Sequence, residues 1–297
     1  MDTLIGTTIN KGKASSTQVA LKIAIQGYPG AFHDIAARQF FKTREVEIVP
    51  GDTFDDLVQA IQNKTADLGL MAIENTLAGS IIGNYYRLLE NGLEASGEIY
   101  LRIKQNLMAL PGQKIEGLRE VYSHPMAIAQ CKKYFQQHPH IRLVEAEDTA
   151  LSAKHIRDKN LKNTGAIAST LAAEMYGLEI LAPSIETNKQ NHTRFLVLHR
   201  EGDTDVPAGA DKVSLCFSVS HSVGSLHKVL SVMAAYELNL SKIQSIPIAG
   251  KKWEYFFFVD FICDGQVQWR QGIESLRPLV VDLKILGVYR QGEHIEV

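Results

Sequence analysis

The hydrophobic pattern of this chain changes period many times along its length. Apolar runs at 21–25, 46–49 and 68–73 have the length of strands. Between them, 31–41 sets Phe32, Ile35, Ala36 and Phe40 near one face of a helix. A helix over 54–61 follows the start signal Asp52-Thr53, and another over 80–89 stops near Asn91-Gly92. Alternation of this kind predicts a mostly parallel sheet covered by helices. From 98 to 110 the pattern becomes one long strand-like crossing. It then restarts with a strand at 121–122, a helix over 125–137, a strand around 143–144 and a helix over 149–157. A strand at 166–168, a helix over 170–176 and a last strand at 195–198 follow. A pattern that stops and restarts predicts two α/β lobes. The last segments either stay in the second lobe or return to the first.

Residues 201–211 are polar and carry Gly and Pro, which is linker composition. Beyond them the periods read strand 213–219, helix 224–236, strands 240–248 and 255–262, helix 271–276 and strand 285–289. That βαββαβ order is ferredoxin-like, with Ala249-Gly250-Lys251-Lys252 turning the central hairpin. Residues 1–20 mix Thr, Gly, Lys and Ser without an apolar core of signal-peptide length, and are expected to form a loose tail.

Composition narrows the function class. Apolar residues make up 45% of the 297 and charged residues 22%, values ordinary for a soluble globular protein of two domains. A net charge of -2 gives no reason to expect nucleic acid or an anionic membrane as partner. Cys131, Cys216 and Cys263 are odd in number and far apart, so free thiols in a reducing cytoplasm are expected, and no metal-ligand spacing is present. The Gly27-Tyr28-Pro29-Gly30 loop lacks the dinucleotide-binding glycine spacing.

Candidate chemistry collects where strands end. Asn191-His192-Thr193-Arg194-Phe195 stands between a polar loop and an apolar strand. A hydroxyl, an amide and a guanidinium there can face a cleft while the scaffold fixes them, or can simply be a solvated strand start. Glu74-Asn75-Thr76 ends a buried strand, and Gly79-Ser80 opens the next helix, where Ser80 is either a plain cap or part of an anion site. Ser123-His124-Pro125 repeats the design, and Ser169 ends a further strand. Arg194 is equally readable as a fork for a carboxylate or as a structural ion pair.

Taken in order, Gly27–Phe32, Ile73–Ser80, Ser123–Cys131 and the Asn-x-Thr-Arg-Phe run resemble prephenate dehydratase over residues 21–200. The stretch 221–247 resembles an ACT domain, a small-molecule sensor. The resemblance implies a two-lobed, periplasmic-binding-protein-like catalytic domain at 21–200 and an ACT regulatory domain at 212–297. It implies decarboxylative dehydration of prephenate to phenylpyruvate, carbon dioxide and water, with no cofactor and no metal. Thr193 matches the family's catalytic threonine, and Glu74 is the nearby group able to hold a transferable proton if burial raises its pKa. Asn75, Thr76, Ser80, Ser123, His124, Ser169, Asn191 and Arg194 are the expected substrate contacts. The family usually has Pro and Ser where this chain has Ala72 and Thr76. L-phenylalanine is the expected regulatory ligand, near Gly224, Leu226, Asn239, Leu240 and Ser245, although Ser225, Gln244 and Ile246 depart from the usual phenylalanine-binding motifs. A homodimer or homotetramer is expected, because the family pairs its ACT domains. No segment before residue 21 is long enough for the chorismate mutase domain fused to some dehydratases. Arogenate in place of prephenate, or a two-lobed binding protein without catalysis, are the alternatives.

Overall fold

The computed structural model describes residues 20–263 and 268–296, so nearly all of the expected tail lies outside the described residues. The first lobe runs β1 (Leu21–Gln26), α1 (Phe32–Phe40), β2 (Val46–Gly51), α2 (Phe54–Gln62), β3 (Leu68–Asn75), the two-residue β4 (Gly79–Ser80), α3 (Ile82–Glu90) and β5 (Leu93–Arg102). The second holds β6 (Asn106–Ala109), β7 (Glu120–Ser123), α4 (Pro125–Phe135), β8 (Arg142–Glu145), α5 (Thr149–Asp158), β9 (Thr164–Ala168), α6 (Thr170–Tyr176) and β10 (Glu179–Ala182). The chain then returns as β11 (His192–Arg200). The C-terminal unit is β12 (Lys212–Ser218), α7 (Ser225–Ala235), β13 (Asn239–Pro247), β14 (Tyr255–Ile262), α8 (Trp269–Leu276), β15 (Val281–Tyr289) and the short β16 (His294–Ile295).

The two lobes and their separate sheets are as the restarting pattern predicts. In the first, β2, β1 and β3 are parallel, as expected of βα units. β11 settles the open crossing: it inserts antiparallel between β3 and β5, so the first lobe is completed by the last catalytic segment. The second sheet has the order β10-β6-β9-β7-β8. Edge strand β10 escapes the sequence pattern because it is four residues long and only partly buried. The expected helix start at Ser80 is corrected. Ser80 lies in β4, paired to Glu74, and α3 begins after Ile81 without a side-chain cap.

The C-terminal unit does not hang free on its linker. Its sheet, ordered β13-β14-β12-β15, meets the first lobe's sheet at β5. Gly287 makes this approach possible, since a Cβ there would lie 2.4 Å from the Ala95 carbonyl oxygen. An apolar cluster shared by Tyr85 and Leu88 of α3, Leu196 of β11, and Ile246, Phe258 and Tyr289 of the unit seals the joint. α1 covers the opposite face of the first lobe's sheet, over Phe195 and Val197. The alternation of β11 therefore decides everything near its start: odd residues face α1 and the inter-lobe cleft, and even residues face the C-terminal unit. Among the described residues no helix is long and apolar enough to cross a membrane.

Candidate active site

A cleft of about 250 Å³ lies between the lobes. Thr193, Asn75 and His124 line it, joined by His33, Gln105 and Asp148, which the sequence reading did not single out. Three helices begin at this cleft. α1 starts there with no side-chain cap, at Phe32 and His33. α4 starts at His124 and α5 at Asp148. His124 and Asp148 take amides at the starts of α4 and α5, so the uncapped start of α1 and the positive ends of the three helix dipoles are what suit a substrate with carboxylates.

Asn75 organises the centre. Its Oδ1 accepts from Leu77 N and Ala78 N, both at 3.0 Å. That fixes the amide so its Nδ2 faces Asn191 Oδ1 at 2.8 Å, the His192 carbonyl at 3.1 Å and Thr193 Oγ1 at 3.0 Å. Thr193 is thus an acceptor towards Asn75, and its own proton is left for the cleft. The register that pairs Thr193 with Asn75 across β11 and β3 makes this contact. Asn191 is fully buried behind them and supports Asn75 rather than lining the cleft. Among the described residues its Nδ2 has no partner, and neither do His33 Nε2 and Gln105 Oε1. Buried polar atoms seldom stay unmatched, so a polar ligand or water is their expected complement.

Two titratable groups in the cleft are shifted by burial. The His33 imidazole, edge-on to Phe195 at 4.9 Å, is pushed down to about 3 by desolvation and is neutral at any working pH. Burial raises the Asp148 carboxyl above the ordinary range, against the pull of the α5 amides it caps. His124 caps α4 by accepting the Met126 amide on Nδ1 at 3.2 Å, which places its neutral-form proton on Nε2.

Several expected contacts are corrected by strand alternation and local capping. Arg194, next to Thr193, points out of the opposite face. Its guanidinium is buried, bonded to Glu98 at 2.7 Å, to Tyr289 Oη at 3.0 Å and to Asp260. Burial alone would weaken its charge, but the Asp260 and Glu98 carboxylates hold its pKa well above the usual value. The ion-pair reading of Arg194 holds in this structure, and the fork for a substrate carboxylate does not. Glu74 turns the same way, 2.8 Å from Lys242 Nζ, and Ser80 meets that ammonium at 2.7 Å. Neither lines the cleft, so Asp148 replaces Glu74 as the carboxyl available to the substrate. Thr76 spends its hydroxyl bridging Gln190 O and His192 N. Ser123 is fully buried and donates to the Ile167 carbonyl. Ser169 caps α6 and donates to Gly30 O at 2.5 Å, lashing the second lobe to the Gly27–Gly30 loop. It borders a neighbouring cavity instead, with Arg38, Arg102 and Lys104.

One signal for Asp148 was available: Asp148-Thr149 follows a strand and opens a helix, as Ser123-His124-Pro125 does. Nothing comparable marked His33 or Gln105. Within one chain the regulatory residues divide. Gly224 and Leu226 border a cavity of about 340 Å³ with Trp253 and Tyr255, at the hairpin end of the C-terminal unit. Asn239 and Leu240 pair with Ile262 and Phe261 at the far end of β14. Ser245 sits on the exposed face of β13. Among the described residues no cluster of His, Cys, Asp or Glu is arranged to hold a metal.

The chain is 37% identical to arogenate dehydratase 2 of Petunia hybrida over 91% of its length and 71% of that protein. It is 34% identical to the bifunctional chorismate mutase/prephenate dehydratase of Aquifex aeolicus, over 92% of this chain and 75% of that one. Among solved structures, GqqA, a quorum quenching acylase, shares 32% identity with a TM-score of 0.81, covering 91% and 98% of the two chains. Prephenate dehydratase from Arthrobacter aurescens in complex with L-Phe shares 25% identity with a TM-score of 0.79, covering 91% and 90%. A family profile, prephenate dehydratase, matches residues 23–203, and the chain belongs to that family.

Proposed function

We propose that this chain is a cytoplasmic dehydratase that converts prephenate to phenylpyruvate, carbon dioxide and water. The observation that carries the reading is the Asn75–Thr193 contact, which orients a threonine hydroxyl with its proton free for the cleft. In this reaction the ring carboxylate leaves as carbon dioxide, and its bonding pair becomes ring π density. That density expels the ring hydroxyl, which leaves as water once protonated. No carbon-bound proton is removed, so the site needs donors and fixed geometry more than a strong base. Thr193 donates to the departing oxygen, and Asp148, whose carboxyl is raised by burial, is the acid group in the cleft placed to supply the proton. The uncapped start of α1 receives a carboxylate, and His33, Gln105 and His124 complete the polar lining.

Acylase chemistry is a second reading, prompted by GqqA. It calls for a nucleophile beside a base. Among the described residues the side-chain partner of Thr193 Oγ1 is the Asn75 amide, a donor and not a base. This favours dehydration. The deciding experiment incubates purified protein separately with prephenate, with arogenate and with an N-acyl substrate, and identifies products by mass spectrometry. Phenylpyruvate from prephenate is the expected result. Phenylalanine formed from arogenate alone would reassign the substrate, and no turnover of either would leave a binding protein or an acylase.

The C-terminal unit is proposed to be an ACT domain that binds L-phenylalanine in a homodimer or homotetramer. β13 is an edge strand of nine residues, and exposed edges invite pairing. Two-fold antiparallel pairing of β13 with a second copy would bring one chain's Asn239 end towards the other's Gly224 end, uniting the divided residues. Calorimetry with phenylalanine and light scattering test this together. A monomer that gives neither heat nor inhibition at millimolar phenylalanine would refute it.

A further inference from the structure

Beside the Thr193–Asn75 pair lies a second pair, Arg194 and Glu74, in register across the same two strands. The first pair faces the cleft, and the second leaves the opposite face and meets charges from the C-terminal unit. Arg194 bonds Asp260 of β14. Glu74 takes Lys242 of β13, and the same ammonium reaches Ser80. Glu98 of β5 joins the seam, bonded to Arg194 at 2.7 Å and to Lys212 of β12 at 2.8 Å. Three cations, Arg194, Lys212 and Lys242, face three anions, Glu74, Glu98 and Asp260. All but Glu74 have side chains no more than 6% exposed.

A buried, charge-balanced seam is a weak source of stability, because desolvation offsets most of its attraction. What it supplies is a single geometry, since each charge has its partner in one arrangement. We propose that the C-terminal unit completes the active site, with Lys242 and Asp260 acting as positioning residues through Glu74 and Arg194 on Asn75 and Thr193. The inference rests on the dehydratase reading and assigns the C-terminal unit a role in the reaction itself, apart from any ligand it binds. The lever is the strand backbone. Arg194 and Thr193 share a peptide unit, as do Glu74 and Asn75, so a displaced guanidinium or carboxylate rolls the strand and shifts the residue on its other face. A misplacement of about 1 Å can cost on the order of a hundredfold in rate.

The test uses full-length protein with Lys242→Met, Lys242→Arg and Asp260→Asn. Each is assayed on whichever of prephenate and arogenate the parent turns over, with circular dichroism and thermal melts alongside. The expected result is a fall in kcat of roughly tenfold or more for Lys242→Met and Asp260→Asn, with KM held within about threefold, and recovery of most of kcat in Lys242→Arg. Should Asp260→Asn fail to fold, Lys242→Met carries the test, because its partner Glu74 reaches solvent. Lowered melting temperatures with parental kcat and KM would overturn the proposal, reducing the seam to structural glue. A parent inactive on both substrates would overturn the dehydratase reading and the seam's role with it, whereas an active parent with unchanged variants overturns the seam alone.

Discussion

Replacing Asn75 by Asp tests the central contact with almost no change of shape. One carboxylate oxygen takes the place of Oδ1 and keeps both amide bonds, from Leu77 and Ala78. The other replaces the NH2 group and faces three oxygens: Asn191 Oδ1 at 2.8 Å, His192 O at 3.1 Å and Thr193 Oγ1 at 3.0 Å. The His192 carbonyl has no proton to give, so its bond is lost and replaced by repulsion, while Asn191 can turn its amide to present Nδ2 instead of Oδ1. At about 1 kcal/mol for the lost bond, with repulsion added, the variant should be roughly 2 kcal/mol less stable. Thr193 responds as well, by turning its proton from the cleft to the new carboxylate. The donor at the leaving oxygen then disappears, which costs roughly a hundred- to a thousandfold in kcat. Asn75→Ala leaves that proton free but loosens the threonine, so its loss should be smaller, on the order of tenfold. Thr193→Ala should match Asn75→Asp, and Thr193→Ser should stay near the parent. The assay is initial-rate formation of the aromatic keto acid with melting curves in parallel. If Asn75→Asp keeps kcat within about threefold of the parent, or outpaces Asn75→Ala, the Thr193 proton is not the one that matters.

Three further outcomes are expected. Arg194→Met strands Glu98 and Asp260 without their cation, so the melting temperature should drop by about 10 °C, from a loss of about 3–5 kcal/mol, while KM stays near the parent's because the guanidinium does not reach the cleft; a raised KM in a protein of unchanged melting temperature would restore the carboxylate-fork reading. Asp148 must be protonated to donate, so parental kcat should decline as pH rises through its raised pKa, and Asp148→Asn should be slower and lack that limb in a kcat–pH profile. His33 has a folded pKa of about 3 against an unfolded value near 6.5, so the unfolded state binds the extra proton between those values. Its contribution to stability is complete above pH 6.5 and is lost by about 1.4 kcal/mol per unit as pH falls towards 3, so denaturant melts of His33→Gln should show a flatter acid slope.

Much of the fold is written in the period of the apolar residues, since burial on one face is what period 2 and period 3.6 encode. The ambiguous parts are those whose burial comes from distant chain. β11 is apolar throughout its centre, so its pattern cannot say which sheet receives it. β10 is too short to show a period. In the site, Thr193, Asn75 and His124 were legible because strand ends and helix starts are where a cleft can be lined. Arg194 turns away from the cleft because it alternates with Thr193, and its ion-pair alternative is realised there. Glu74 turns with it because the register shift between β3 and β11 lets Ile73 and Glu74 share the face away from the cleft, which no sequence period shows. Ser123 and Ser169 look identical in sequence whether their hydroxyls meet a ligand or the carbonyls of Ile167 and Gly30 that claim them here. His33 and Gln105 carry no local signature, because only the closing of two lobes brings them together.

The same alternation accounts for the departures in the second regulatory motif. Along β13, Lys242 and Ile246 turn towards the first lobe while Ile243 and Ser245 stay exposed, and Leu240, beyond a register shift, packs with the helices of the unit instead. Ile246 is 3% exposed and packs in the cluster with Tyr85 and Phe258 that docks the unit on the first lobe. An arginine there would bury a charge among apolar groups, so isoleucine fits the docking role of this position. The inner face of β13 is thereby committed to the catalytic lobe, through Ile246 and through Lys242 on Glu74. Its outer face and free edge are what remain for a ligand or a second copy. A strand held on one side by the seam and on the other by a ligand cannot move for one without moving for the other. Phenylalanine bound at the outer face would reach Asn75 and Thr193 through the backbone of β13, Lys242 and Glu74, with no contact between ligand and cleft. Loss of inhibition with retained phenylalanine binding in Lys242→Met would identify that route, and inhibition of parental strength in the variant would exclude it.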